Sequence, residues 1–318
     1  MDRSKIIALI VAVIIIASVL IVYNVHYNKN KGKNGITVYA DNGVFHFSSK
    51  VNKIVSLSPA FTATLYGIGA FNDIVGISTC TFYPEPVKNI KVVGSYDSIN
   101  TEEIVNLSAQ VIIGCSMPAS IISKVDSLGI KYLEYVPCNI NEIENMTLQL
   151  GILTGNEKNA STIVNWMNSA ISSFANISNY SKTCIFYYLD SDPVYTAGNN
   201  TFMNQIFNII DLRNVASFHN GYFPISMEDI LNESSNIKYI IMSPYVNYTD
   251  LKIRTFEATY AFKHDNIVYT NASLNNMLEE PDFRVIYGAY NLLFEMNKTR
   301  ASMVKIPKFP FNLKYNPD

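Results

Sequence analysis

Short apolar runs that alternate with helix-patterned stretches constrain this chain more than any other feature. Ile54–Leu57, Ile74–Ile77, Val111–Gly114 and Tyr132–Val136 are candidate strands, and helical stretches near Ala60–Gly69, Thr101–Leu107 and Pro118–Leu128 separate them. Runs this short with almost no polar alternation suit strands covered on both faces. They predict a parallel sheet flanked by helices, with right-handed crossovers. Ahead of them, residues 36–47 (ITVYADNGVFHF) alternate around Asp41-Asn42-Gly43, the signature of a two-stranded hairpin.

The middle of the chain changes character. From Asn156 to Asn179 there is neither Pro nor Gly, and Ala160, Ile163, Val164, Met167, Ala170, Ile171 and Phe174 recur at spacings of three and four. That periodicity predicts one long amphipathic helix. Alternation then resumes through Cys184–Leu189, Val194–Thr196, a helix over Phe202–Ile210, Tyr239–Met242 and Ile267–Thr270, with a last helix from about Pro281 to Thr299. The simplest architecture is α/β, with two Rossmann-like lobes (36–155 and 181–300) joined by one long interlobe helix (156–180), an anchor and tether before them (1–35) and a short tail (301–318). One large doubly wound sheet is the competing arrangement.

An internal repeat favours two lobes. Asn100-Thr-Glu-Glu-Ile-Val-Asn106 precedes Val111-Ile-Ile-Gly114, and Ser226-Met-Glu-Asp-Ile-Leu-Asn232 precedes Tyr239-Ile-Ile-Met242. In each copy a capping residue opens a short helix with acids at its second and third positions. Glu102 and Glu228 therefore occupy equivalent points of two similar halves.

Ile6–Tyr23 is an uncharged run long enough, at 1.5 Å per residue, for a helix of about 27 Å, close to bilayer thickness. It exceeds a usual signal-peptide core and lacks an A-x-A-like site or a following Cys, so an uncleaved anchor is expected. Asn-x-Ser/Thr sequons begin at Asn106, Asn145, Asn159, Asn176, Asn179, Asn199, Asn232, Asn247, Asn271 and Asn297, all downstream of it. They fit an exported, glycosylated face, or simple Asn/Ser richness. A net charge of −2, with only 16% charged residues, supplies no basic field for nucleic acid.

Ligands of parallel α/β sheets bind outside the carboxyl ends of strands. Here those ends carry Ser58-Pro59-Ala60-Phe61, Cys80-Thr81-Phe82-Tyr83-Pro84, Cys115-Ser116-Met117-Pro118 and Pro137-Cys138. A lining rich in aromatic, hydroxyl and sulfur groups and poor in charge suits a bulky, largely apolar ligand fixed by a few hydrogen bonds. Tyr83 and Tyr96 are the expected flat contacts, and Tyr188 and Asn199 the candidates from the second lobe. Cys115 and Cys138 end neighbouring strands in a 2-1-3-4 order, where a disulfide is one reading and free thiols the other. No C-x-x-C, H-E-x-x-H, P-loop or G-x-S-x-G occurs, and the four His residues are scattered. Neither a metal site, a resident cofactor nor catalysis is expected.

Taken in order, Lys53-Ile-Val-Ser-Leu-Ser-Pro59, Thr62, Gly67 and Gly69, Ile74-Val-Gly-Ile77, Tyr83-Pro84, Val93-Gly94, Asn100-x-Glu102-x-Ile104, Leu128-Gly-Ile130, Leu150-Gly-Ile-Leu-Thr-Gly155, Tyr195-Thr-Ala-Gly198 and Phe283-Arg284 resemble the class III periplasmic binding proteins. These include the cobalamin-binding and ferric-siderophore-binding components of ABC importers. The likeness runs from about Gly35 to Lys298. It implies a rigid bilobal fold and one glutamate per lobe, Glu102 and Glu228, docking to arginines of a permease dimer that works with an ATPase. It further implies that Tyr83 and Tyr96 line the cleft, Tyr96 in place of a Trp, and that Arg284 stands where the family has Gly-Pro-Arg. An uncleaved anchor resembles archaeal members and places the binding domain on the extracellular side. Haem, with Tyr83, Tyr96 or His219 as axial donor, is an alternative ligand, and an anchored sensor or adhesion module an alternative role.

Overall fold

The computed structural model describes residues 35–95, 97–177 and 183–312. The hairpin forms as the alternation predicts. Strands β1 (Ile36–Ala40) and β2 (Gly43–Phe47) pair antiparallel, with Ala40 opposite Gly43 and Asp41-Asn42 as the loop. The first lobe then runs β3 (Ile54–Ser56), α1 (Pro59–Gly67), β4 (Ile74–Ser78), β5 (Lys91–Gly94), α2 (Thr101–Asn106), β6 (Val111–Gly114), α3 (Ala119–Ser127) and β7 (Lys131–Glu134). Its five strands are parallel in the order β5-β4-β3-β6-β7. The expected 2-1-3-4 order is present, with β5 added outside it.

The hairpin loop is spent on the β7 edge. Asn42 Oδ1 accepts from the Glu134 amide at 3.0 Å, its Nδ2 donates to the Tyr132 carbonyl at 3.0 Å, and Asp41 Oδ2 accepts from the Val136 amide at 2.7 Å. Backbone groups that an edge strand would leave open are thereby satisfied.

Two helices follow. Helix α4 (Ile140–Thr154) is capped by Gly155 in the left-handed region, and α5 (Glu157–Ser173) ends in a 3-10 turn over Phe174–Ile177. The expected single helix to residue 180 is thus α-helical only to Ser173, and residues 178–182 lie outside those described. Ala160, Ile163, Met167, Ala170 and Phe174 are buried as the spacing predicts, whereas Val164 and Ile171 are only half-buried and Trp166 joins the buried face.

The second lobe runs β8 (Thr183–Tyr188), β9 (Asp190–Ser191), β10 (Val194–Ala197), α6 (Phe202–Ile209), β11 (Leu212–Asn214), β12 (Tyr222–Pro224), α7 (Met227–Asn232), β13 (Tyr239–Met242), α8 (Arg254–Glu257), α9 (Tyr260–Lys263), β14 (Ile267–Tyr269), α10 (Ala272–Glu279), α11 (Val285–Met296) and α12 (Lys298–Ala301). Four strands make a parallel sheet, β11-β8-β13-β14, while β10 pairs antiparallel with β9 and β12 in a separate small sheet. The last helix starts at Val285 rather than Pro281 and breaks at Asn297, whose extended backbone lets its Oδ1 accept from the Arg300 amide and open α12.

Period-two alternation splits each sheet between two cores. Ile54, Ile113, Ile185, Tyr187 and Ile241 point into a core that also holds Ile163 and Met167 of α5, so one apolar body runs through both lobes. Their neighbours Val55 and Ile112, and Phe186 and Ile240, fill separate outer cores. Each buried aliphatic side chain stabilises by about 1.5–3 kcal/mol.

Ile6–Tyr23, Tyr96 and Asn179 lie outside the described residues. Among the described residues no helix is long and apolar enough to cross a membrane.

Candidate functional site

The carboxyl ends of β3, β4, β6 and β7 gather the expected rim, but its side chains divide between surface and core. Ser58 and Pro59 are half-buried at the start of α1. Ser58 does not cap that helix with its hydroxyl; its carbonyl accepts from the Thr62 amide at 3.2 Å and the Ser56 hydroxyl at 3.2 Å. Ser116 is exposed and Cys115 half-buried after β6. Burial pushes the Cys115 thiol up, and the nearby Cys80 and Glu134 add to the effect.

Three of the expected contacts are buried side chains. Phe61, 1% exposed, points into the shared core and meets Tyr135 edge-on at 6.3 Å. Met117 packs in the first lobe's outer core. Tyr188 is 1% exposed and stacks on Phe256 at 4.9 Å. Phe61 lies in α1, Met117 in the loop after β6 and Tyr188 at the end of β8, and each side chain packs into a core. All four cysteines are free, so Cys115 and Cys138 are not bridged.

Tyr83 and Arg284 are brought together from different lobes. The Arg284 guanidinium lies 4.4 Å from the centre of the Tyr83 ring, and Tyr66 meets that ring edge-on at 6.0 Å. The Tyr83 hydroxyl is enclosed without a hydrogen-bond partner, and burial raises its pKa. Arg284 is itself 4% exposed. Its Nε donates to both Asp282 oxygens at 3.0 Å, and Nη2 donates to Glu280 and Asp282. Two carboxylates thus share the Nε and Nη2 donors of Arg284, and most of its charge is met within its own segment. Burial pushes Glu280 up to about 7 against the pull of Arg284, with Asp282 adding to the rise.

Asn199 faces a hollow that the sequence did not announce. The start of α4 (Cys138, Asn139, Asn141) and the start of α6 (Asn199, Asn200, Thr201, Asn204, Gln205, Asn208) enclose about 550 Å³. Gln205 Oε1 accepts from the Ile140 amide at 2.6 Å and ties the two lobes beside it. The lining is almost all amide, with no formal charge. It offers donors and acceptors to a neutral polar group rather than the apolar wall expected. Asn204 and Asn208 lie four residues apart, a spacing that places them on one face of α6. Nearby, Tyr222 is half-exposed yet hemmed in, its phenol pushed up to about 12 first by desolvation and then by Glu279.

Glu102 and Glu228 sit where the repeat puts them. Asn100 Oδ1 accepts from the Glu103 amide at 3.0 Å and Ser226 Oγ from the Asp229 amide at 3.1 Å, so the helices open identically. Helix α2 leads into β6, which lies beside β3; α7 leads into β13, which lies beside β8. Both glutamates are exposed. The buried Ile104 and Ile230 anchor the opposite faces. His219, also exposed, stacks on Phe223 at 4.4 Å with Nδ1 held by the Asn220 carbonyl. Among the described residues no cluster of metal-ligating side chains occurs.

The periplasmic binding protein family model matches residues 54–273. An ABC transporter substrate-binding lipoprotein of Bacillus subtilis, itself uncharacterized, is 29% identical over 56% of this chain; the chain spans 60% of that relative's length. A cobalamin-binding protein of Halobacterium salinarum is 22% identical over 78% of the chain and 70% of the relative. Among solved structures, a possible iron-binding periplasmic solute-binding protein of Staphylococcus epidermidis superposes with a TM-score of 0.70 at 24% identity, covering 78% of this chain and 100% of that one. The haem-binding protein HutB of Vibrio cholerae gives 0.68 at 19% identity, covering 76% and 96%.

Proposed function

This chain belongs to the periplasmic binding protein family, and from that premise we propose that it captures a corrinoid or ferric chelate outside the membrane and delivers it to an ABC permease dimer coupled to an ATPase. The observation that carries the reading is the paired placement of Glu102 and Glu228, exposed at the same position of equivalent helices in two lobes that share one stiff core. Exposed carboxylates so duplicated suit a partner with two basic sockets, and rim charges of this kind set encounter and orientation. Relatives named for cobalamin and iron support the ligand class. The amide-lined hollow supports a ligand with a neutral polar periphery. Ile6–Tyr23 serves in this reading as a single-pass anchor that keeps residue 36 onward on the extracellular side.

A thermal-shift series with cyanocobalamin, haemin and a ferric hydroxamate tests capture. One of them at a hundred times its Kd adds about 2.7 kcal/mol to stability. A transition unmoved by all three counts against the reading. Haem is the second reading, favoured by the exposed His219, whose ring is already fixed by Phe223 and Asn220. Tyr83 is a poorer axial donor, because its hydroxyl is enclosed behind the Arg284 contact. An anchored sensor of the same fold would bind ligand but would not depend on Glu102 and Glu228.

A further inference from the structure

The two docking helices share more than a glutamate. On α2 the residues that face outward after Glu102 are Val105, 45% exposed, and Asn106; on α7 they are Leu231, 48% exposed, and Asn232. In both copies the apolar residue lies three positions after the glutamate and the asparagine four. Residues so spaced sit side by side on one helical face, about 5–6 Å apart at Cβ. A single exposed aliphatic residue on a surface is ordinary. The same exposed aliphatic at the same point of two lobes, each beside an exposed carboxylate, is a duplicated patch. In the first lobe the patch also walls a groove of about 450 Å³, lined as well by Lys124 of α3 and by Leu128 just after it.

Resting on the docking reading above, we infer that Val105 and Leu231 are apolar anchors of the permease interface, each seating beside its glutamate in a socket that pairs a cation with an apolar side chain. Duplication within one chain fits a partner duplicated in the same way, so both anchors meet the same polypeptide, one copy each. An apolar side chain beside the ion pair excludes water from it and strengthens the attraction. A second consequence concerns modification. Asn106-Leu107-Ser108 and Asn232-Glu233-Ser234 are both sequons, and a glycan on either asparagine would stand one turn from the docking glutamate. The inference therefore requires these two sequons to stay bare, whatever the occupancy of the others.

The test incorporates a photo-reactive phenylalanine analogue at Val105, Leu231, Glu102 or Glu228, and at Phe294 as a control away from the patch, in full-length protein in its own membranes. Val105 and Leu231 are expected to yield adducts of one mass, containing one polytopic permease subunit, at least tenfold above Phe294. Val105→Asp with Leu231→Asp lowers the adduct yield from Glu102 and Glu228 at least tenfold while the thermal transition holds. Adducts from the glutamates alone, or different polypeptides at Val105 and Leu231, overturn the inference and leave the docking reading standing. No adduct from any of the four removes both. Peptide mass spectrometry of the same protein is expected to find Asn106 and Asn232 unmodified; a glycan on either contradicts the inference.

Discussion

Arg284 of the second lobe lies over the ring of Tyr83 of the first, its guanidinium 4.4 Å from the ring centre. Around this pair Phe283 closes on Gly67 of α1, where a Cβ would come within 2.6 Å of the phenyl ring, and Phe309 of the carboxyl-terminal segment stacks on Phe283 at 4.9 Å. Trp166 of α5 meets Phe309 and donates to the Pro307 carbonyl at 2.9 Å. The junction between lobes is therefore packed from three directions. So braced, the lobes are expected to close on a ligand by small adjustments rather than a wide hinge swing.

Removing the arginine leaves two buried carboxylates facing each other. Arg284→Met is expected to cost about 3–5 kcal/mol, the usual penalty for breaking a buried ion pair from one side. The triple variant with Glu280→Gln and Asp282→Asn recovers most of that loss. Urea unfolding at pH 7 reads both.

Glu280 sets a pH dependence whose sign follows from its raised pKa of about 7. Below the unfolded value, near 4.5, both states hold the proton and its contribution is fully present. Between 4.5 and 7 the folded state binds more protons than the unfolded one, so stability falls as pH rises through that window, by an amount on the order of 3 kcal/mol. Glu280→Gln flattens the decline. Unfolding midpoints measured from pH 5 to pH 8 check it, and parallel slopes in both proteins would refute the assignment.

Gly151 and Gly288 are expected to resist substitution although both lie in helices. A Cβ on Gly151 would stand 2.5 Å from that of Ala160, and one on Gly288 would stand 2.9 Å from the Met277 carbonyl. Alanine gains up to about 1 kcal/mol in helix propensity but forces close-packed helices apart at about 1–3 kcal/mol. Lower thermal midpoints for both variants are the outcome expected, and a rise in either contradicts the packing.

Much of this fold was legible because its strands are uninterrupted apolar runs. Val111–Gly114 and Tyr239–Met242 lie as expected, and the Asn100 and Ser226 caps form. What escaped has physical causes. Strand β5 is four residues at a sheet edge, with Lys91 and Val92 exposed, so it lacks the buried-run signal. Helix α4 carries two glycines at its end, Gly151 and Gly155, that blur its period, the first serving close packing and the second the turn into α5. At the site, the pattern located the strand ends but not which way each side chain turns. Phe61, Met117 and Tyr188 went inward, while Arg284 was neutralised by carboxylates two and four residues away, a pairing visible only as the spacing of Glu280, Asp282 and Arg284.

Four free thiols are expected from denatured protein, with no change in thermal midpoint on adding a reductant. In the native state Cys80 and Cys138, both exposed, alkylate before the half-buried Cys115. Intact mass after alkylation counts them, and a mass short by two alkyl groups would place a bridge the structure lacks.

Under the proposed function, two lobes hold a ligand and present matched carboxylates to one transporter. Uptake of the chelate found in the thermal screen, measured in cells carrying Glu102→Ala with Glu228→Ala, tests it most directly. The account predicts that the variant binds the chelate as tightly as the parent while uptake falls to background. Uptake at the parent rate, with binding intact, would contradict it.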